Sequence, residues 1–174
     1  SLPKLDVDQV CIGSCTSSSY QDLVTVARIL KGKVAAPNVS LVVAPGSRQV
    51  LQAISAEGSL GDLIAAGARL DECACGFCIG NSQSPSSKGV SLRTSNRNFE
   101  GRSGTKDAQV YLVSCETAAA AALTGRIVDP RTLSMQHPKV EMPKRFAIDD
   151  RMFVFPKDVA EPDKVTIFRG PNIG

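Results

Sequence analysis

Three separated thiols offer the most specific chemistry in the sequence. Cys15 stands in Ile12-Gly13-Ser14-Cys15-Thr16-Ser17-Ser18, and Cys75 and Cys78 stand in Cys73-Ala74-Cys75-Gly76-Phe77-Cys78-Ile79-Gly80. A single thiol and a Cys-x-x-Cys about sixty residues later meet only if the fold brings loop ends together. Three thiolates at one point would hold a metal or an iron-sulfur cluster and leave one coordination position without a protein ligand, which is a place for chemistry. The same residues have plainer readings. With Cys73 they make a four-thiolate zinc set, Cys-x-x-Cys alone can be a redox pair, and thiols can simply be buried. Cys11, inside an apolar run, and Cys115, at the start of a helical pattern, read as structural.

A second constellation is arginine-based. Arg97 and Arg102 lie five apart in Asn96-Arg97-Asn98-Phe99-Glu100-Gly101-Arg102-Ser103-Gly104. Solvated surface arginines are the ordinary reading. Guanidinium forks are also preferred where carboxylates are held by paired hydrogen bonds, and this loop follows a strand pattern, where ligands of α/β proteins bind. His137 is the single histidine, so a proton relay built within this chain is not expected.

The elements that must position these residues alternate. Residues 7–13 read as a buried strand stopped by glycine, and 17–22 as cap-forming residues before a helix that runs to Gly32. Cys15 therefore falls in a strand-to-helix turn, where unpaired backbone N–H groups favour a thiolate. A second cycle puts a strand at 39–44 and helices at 48–57 and 60–66. After a Ser- and Pro-rich loop at 81–88, a strand is predicted at 90–95, another at 108–113 and a helix from Ser114 to Leu123, ended by Thr124-Gly125. Short links between alternating strands and helices predict parallel pairing through right-handed crossovers.

Composition sets the outer limits. The 174 residues are 43% hydrophobic but only 5% aromatic with no Trp, so the core must be aliphatic and alanine-rich, which suits a layered α/β domain. Twenty basic and 17 acidic residues are scattered without a basic run, so nucleic-acid binding gains no support. No apolar stretch approaches the ~20 residues that span a bilayer. Six cysteines in such a chain look more like ligands and buried thiols than a disulfide framework, so a soluble protein of a reducing, cytoplasmic compartment is expected. Beyond Asp129-Pro130 the chain turns proline-rich, with short apolar runs at 151–155 and 164–168, and reads as a surface connector cut before a further domain.

Four motifs in order, Gly13-Ser14-Cys15-Thr16, Cys75-Gly76-Phe77-Cys78-Ile79-Gly80, Thr94-Ser95-Asn96-Arg97-Asn98-Phe99-Glu100-Gly101-Arg102 and Glu116-Thr117-Ala118-Ala119-Ala120-Ala121, together resemble the third domain of the aconitase family. The resemblance covers nearly all of residues 7–131. It implies a three-layer αβα domain with a mainly parallel sheet over residues 1–130, followed at 131–174 by an irregular linker towards a swivelling domain. It implies that Cys15, Cys75 and Cys78 are ligands of a 4Fe-4S cluster, that Arg97 and Arg102 take substrate carboxylates and that Asn96 lies near the cluster. The family reaction is a reversible dehydration and rehydration of a hydroxy-tricarboxylate. Its histidine-aspartate pairs and serine base belong to other domains of the chain, so this piece alone is expected to be inactive and, with its site open to oxygen and solvent, prone to lose the cluster.

Two positions depart from the family's pattern, Ser17 where asparagine is common and Cys115 where proline is frequent. Ser18-Ser19-Tyr20-Gln21-Asp22, Glu116-Thr117-Ala118 and the continuation past Arg131 favour a single-chain aconitase acting on citrate and isocitrate. The alternatives are a homoaconitase or isopropylmalate dehydratase large-subunit piece and, from another class, a zinc-stabilised or metal-free binding module.

Overall fold

The structure, a computed structural model, describes residues 5–155, 166 and 168–172. Five strands form one sheet: β1 (Gln9–Gly13), β2 (Ser40–Ala44), β3 (Arg69–Leu70), β4 (Val90–Arg93) and β5 (Gln109–Leu112), in the order β3-β2-β1-β4-β5. Every pairing is parallel, as the alternation predicts. The chain steps outward from β1 through β2 to β3, then returns to the other side of β1 for β4 and β5. The direction of winding reverses between β1 and β4, and both loops that leave this point emerge at the carboxyl edge.

Among the described residues, four helices pack together: α1 (Tyr20–Leu30), α2 (Arg48–Glu57), α3 (Ser59–Ala65) and α4 (Cys115–Thr124). Ser19 begins α1 with a capping box, its hydroxyl accepting from the Asp22 N–H while the Asp22 carboxylate accepts from the Ser19 N–H. Ser47 and Ser114 cap α2 and α4 in the same way through their hydroxyls. Gly58 takes a left-handed conformation that ends α2 and opens α3, which is why the glycine divides the helical pattern in two. The alanine run of α4 is buried from Ala118 to Ala122, and its small side chains let the helix lie directly on α1 and β1.

Period-2 alternation sends each strand's side chains to two different covers. Val10, Ile12, Leu41, Val43, Val90 and Leu92 join the helices in the main core. Cys11, Val42 and Ala44 face the other way and meet Phe77. That opposite layer is the irregular stretch between β3 and β4 with its 3₁₀ turn, Phe77–Ile79. Helices, sheet and this layer make the expected three-layer α/β arrangement.

The sequence misses β3, because two residues at a sheet edge carry no periodic signal. It also extends the fourth strand to 95, whereas the assigned strand ends at Arg93 and Thr94 still donates its N–H to the Cys11 carbonyl. After a 3₁₀ turn at Pro130–Leu133, residues 134–155 carry no helix or strand. The apolar run expected at 164–168 lies outside the described residues except for 166 and 168.

Candidate metal-cluster and carboxylate site

All strands run the same way, so all their carboxyl ends lie along one edge. Cys15 follows β1 by two residues, Cys75 and Cys78 follow β3, and Asn96, Arg97 and Arg102 follow β4. Every residue singled out in the sequence for binding therefore stands on loops of the same edge, and the loops after β1 and β4 flank the reversal in strand order. In open α/β sheets, that crevice is where ligands bind.

Local geometry ties these loops together. Gly13 has φ +113°, and a Cβ there would sit 2.0 Å from the Ala44 carbonyl oxygen, so only glycine lets β1 close on β2 at this point. The Gly13 N–H donates to Thr94 Oγ1 at 2.8 Å, and the Ser14 N–H to the Ala44 carbonyl at 3.0 Å. The chain then turns sharply through Ser14, itself at φ 72°, and releases Cys15 into an exposed position. Next to it, Thr16 donates through Oγ1 to Asn96 Oδ1 at 3.3 Å, a side-chain hydrogen bond directly across the reversal point.

The Cys15 thiol is held below the ordinary range, first by the Thr16 hydroxyl at 3.6 Å and, more weakly, by the positive charge of Arg97. The direction agrees with the sequence expectation, but the cause differs. A neighbouring hydroxyl, rather than the start of α1, makes the largest contribution. Cys11 and Cys115 behave as structural thiols: burial pushes both up to about 12. Burial also raises Cys73, aided by Glu72.

Cys75 is exposed and Cys78 buried, at either end of a tight turn. This turn is fitted against the arginine loop. Gly80, at φ +74°, approaches so closely that a Cβ would lie 2.3 Å from the Ser103 carbonyl oxygen. Beside that contact, Arg102 lies 5.7 Å from the Phe99 ring centroid, and its Nε is buried without a hydrogen-bond partner among the described residues. Two hydroxyls on the flanking loops, Ser14 Oγ and Ser95 Oγ, are also buried without partners. Arg97 and Asn96 are exposed, Asn96 with its carbonyl oxygen engaged by Thr16.

The six cysteines are all free thiols. Among the described residues, no group of three or more His, Cys, Asp or Glu side chains is gathered closely enough for one metal ion. That arrangement gives no support to a tetrahedral zinc site built from Cys15, Cys73, Cys75 and Cys78, because four thiolates on one zinc all lie ~2.3 Å from the same ion. A cluster makes a different demand, since each thiolate bonds a separate iron. Three free cysteines on loops of one sheet edge, one of them with a lowered pKa, are a donor set of the right chemistry for it.

One polar residue of this region escapes a motif-based reading. Arg93, only 1% exposed, lies beneath the Cys75–Cys78 turn. Its only signal in the sequence is alternation: Ser91 and Arg93 form a polar stripe between Val90 and Leu92.

Residues 1–125 match the model of the aconitase family (aconitate hydratase). The chain belongs to the aconitase family. Among similar proteins are the 3-isopropylmalate dehydratase large subunit of Herpetosiphon aurantiacus, 43% identical over 75% of this chain and 31% of that protein, and large subunit 1 of the same name from Archaeoglobus fulgidus, 45% identical over 73% and 31%. The homoaconitase large subunit of Thermus thermophilus is 44% identical over 73% and 31%. The chain thus spans about a third of the length of these family members.

Their names favour the alternative within the family, isopropylmalate dehydratase or homoaconitase, over citrate–isocitrate interconversion. The local letters that pointed to citrate have a structural use of their own. Ser19 and Asp22 build the capping box of α1, and Glu116-Thr117-Ala118 is the first turn of α4. Both stretches are accounted for by starting helices, whatever the substrate.

Proposed function

We propose that this chain is the cluster-holding and carboxylate-binding part of a hydro-lyase of the isopropylmalate dehydratase or homoaconitase kind. Residues 1–130 form the binding domain, and 131–174 lead towards further parts of the protein. Cys15, Cys75 and Cys78 hold a 4Fe-4S cluster through three thiolates. Arg97 and Arg102 take the carboxylates of the substrate, and Asn96 orients the group between them and the cluster. The observation that carries this reading is the Thr16–Asn96 hydrogen bond, which draws the Cys15 loop and the Arg97 loop together across the reversal in strand order.

The reaction removes a proton from carbon and a hydroxyl from its neighbour, leaving an alkene that is rehydrated in the opposite sense. When bound, the cluster supplies a Lewis-acidic iron without a protein ligand, which weakens the carbon–oxygen bond of a poor leaving group. The chain's own residues do the electrostatic work. Proton removal builds negative charge beside a carboxylate, and fixed guanidinium groups stabilise that charge more than they stabilise the ground state. A planar fork also fixes the orientation of the carboxylate, which an ammonium group does not. His137, the sole histidine, is engaged with Glu116 at 3.3 Å, and in this proposal the base comes from another part of the protein.

The test is turnover by the complete enzyme, reconstituted anaerobically with iron and sulfide. Hydroxy acids of the isopropylmalate or homocitrate type are expected to be dehydrated, and citrate is not. Arg97→Lys is expected to lower kcat/KM on the order of a hundredfold, equivalent to about 3 kcal/mol for lost charge-assisted pairing. Turnover of citrate alone, or an unchanged kcat/KM in the lysine variant, contradicts the assignment.

A further inference from the structure

Arg93 is the largest fully buried side chain among the described residues, and it is a cation. Its guanidinium donates through Nε to Ser91 Oγ at 3.0 Å, through Nη1 to the Phe77 carbonyl, and through Nη2 to Gln9 Oε1 at 2.8 Å and to the Gln83 carbonyl at 3.0 Å. It also lies 5.8 Å from the Phe77 ring centroid. Every acceptor is neutral, and no carboxylate pairs with it among the described residues. Hydrogen bonds satisfy its donors but do not cancel its charge, and a buried unpaired charge costs several kcal/mol unless something anionic stands near it.

The network around Arg93 points to where that charge is used. Ser91 Oγ donates to Gln9 Oε1 at 2.7 Å, and Gln9 Nε2 donates to the Ser84 carbonyl at 3.0 Å. Together these bonds fasten the 77–84 segment, which carries Cys78, to the face of β1 and β4 opposite the helices. Cys78 follows directly on Phe77, whose carbonyl Arg93 grips from beneath.

Resting on the proposed cluster site, we infer that Arg93 is its positioning residue and fixed counter-charge: the guanidinium clamps the Phe77–Cys78 turn from beneath and balances the negative charge of the Cys78 thiolate and of the cluster it holds. An anionic cluster becomes more negative when it takes up an electron. A permanent positive charge beneath one of its ligands favours that reduced form and raises the reduction potential.

The experiment is a dithionite titration of the anaerobically reconstituted full chain, followed by electron paramagnetic resonance, with iron, sulfide and thermal unfolding measured on each sample. Arg93→Met, which keeps much of the bulk and removes the charge, is expected to shift the potential to more negative values. Arg93→Lys, which keeps the charge and loses the fork, is expected to restore most of the shift. Gln9→Glu supplies a variant that leaves Arg93 and its other bonds in place. A carboxylate 2.8 Å from Nη2 would neutralise the guanidinium, so the same negative shift is expected; the variant gives up the Gln9 Nε2 bond to the Ser84 carbonyl, and its unfolding temperature reads that cost separately. If Arg93 only holds the fold, Met and Lys variants lower the unfolding temperature alike and Gln9→Glu leaves the potential at the parent value, which overturns the inference. A parent chain that takes up no iron and sulfide removes the proposed cluster site and this inference with it. A loaded parent with unmoved potentials removes only the inference.

Discussion

At the scale of single residues, the thiols divide by what surrounds them. Cys15 is exposed, with a hydroxyl and an arginine lowering its pKa, whereas burial raises Cys11 and Cys115. Thiolates are the reactive form. In the cluster-free protein, brief treatment with iodoacetamide near neutral pH, read by peptide mass spectrometry, is therefore expected to label Cys15 first and to spare Cys11 and Cys115 until the protein unfolds. The same shifts fix a pH dependence. A thiol whose folded pKa lies above its unfolded value of ~8.5 contributes stability that is complete below that pH and is lost as pH rises towards about 12. The unfolding free energy from urea titrations is expected to fall progressively above about pH 8.5, by roughly 1–2 kcal/mol per thiol near pH 10, and Cys11→Val is expected to remove part of that slope. A flat profile, or a profile that Cys11→Val leaves unchanged, contradicts the burial of an unionised Cys11. Ser17 and Cys115, the two positions that depart from the family's pattern, meet in space: the Cys115 Sγ donates to the Ser17 carbonyl at 3.5 Å. Sequence inspection could not reveal that pairing, because 98 positions separate them.

At the scale of elements, most of the layout was readable because it is local. Caps such as Ser19 and Ser114, the glycine between α2 and α3, and the aliphatic runs of β1, β2 and β4 each announce themselves within a few residues. What was not readable was long-range. The short edge strand β3 has no periodicity of its own, and the layer covering Cys11, Val42 and Ala44 is an irregular segment held by Arg93 and its partners rather than a helix with a pattern. The candidate site showed the same division. Cys15, Cys75, Cys78, Asn96, Arg97 and Arg102 could be chosen by type and spacing. The bond between Thr16 and Asn96 and the approach of Gly80 to Ser103 exist only once the sheet has formed. Gly80→Ala tests whether that approach matters. The added Cβ would overlap the Ser103 carbonyl in a left-handed conformation, so a loss of roughly 1–3 kcal/mol in urea unfolding is expected together with weaker iron retention. An alanine variant with the parent's stability and iron content would show that the two loops are free to part.

At the scale of the whole molecule, one sheet edge gathers the groups that could hold a cluster and bind carboxylates, and it holds no free histidine among the described residues to act as base. With about a third of the length of its relatives, the chain by itself is expected to bind the cluster without turning over isopropylmalate, homocitrate-type acids or citrate. Measurable turnover by the isolated chain would mean that a base has been overlooked within it. Substrate choice left no readable mark, since the stretches that suggested citrate serve to start α1 and α4. The most direct test of the account is the count of iron and acid-labile sulfide per chain after anaerobic reconstitution, in the parent and in Cys15→Ser, Cys75→Ser and Cys78→Ser. The account expects about four of each in the parent and a marked loss in every single variant. Stoichiometric zinc without sulfide, or a full complement of iron and sulfide in any of the three serine variants, would contradict it.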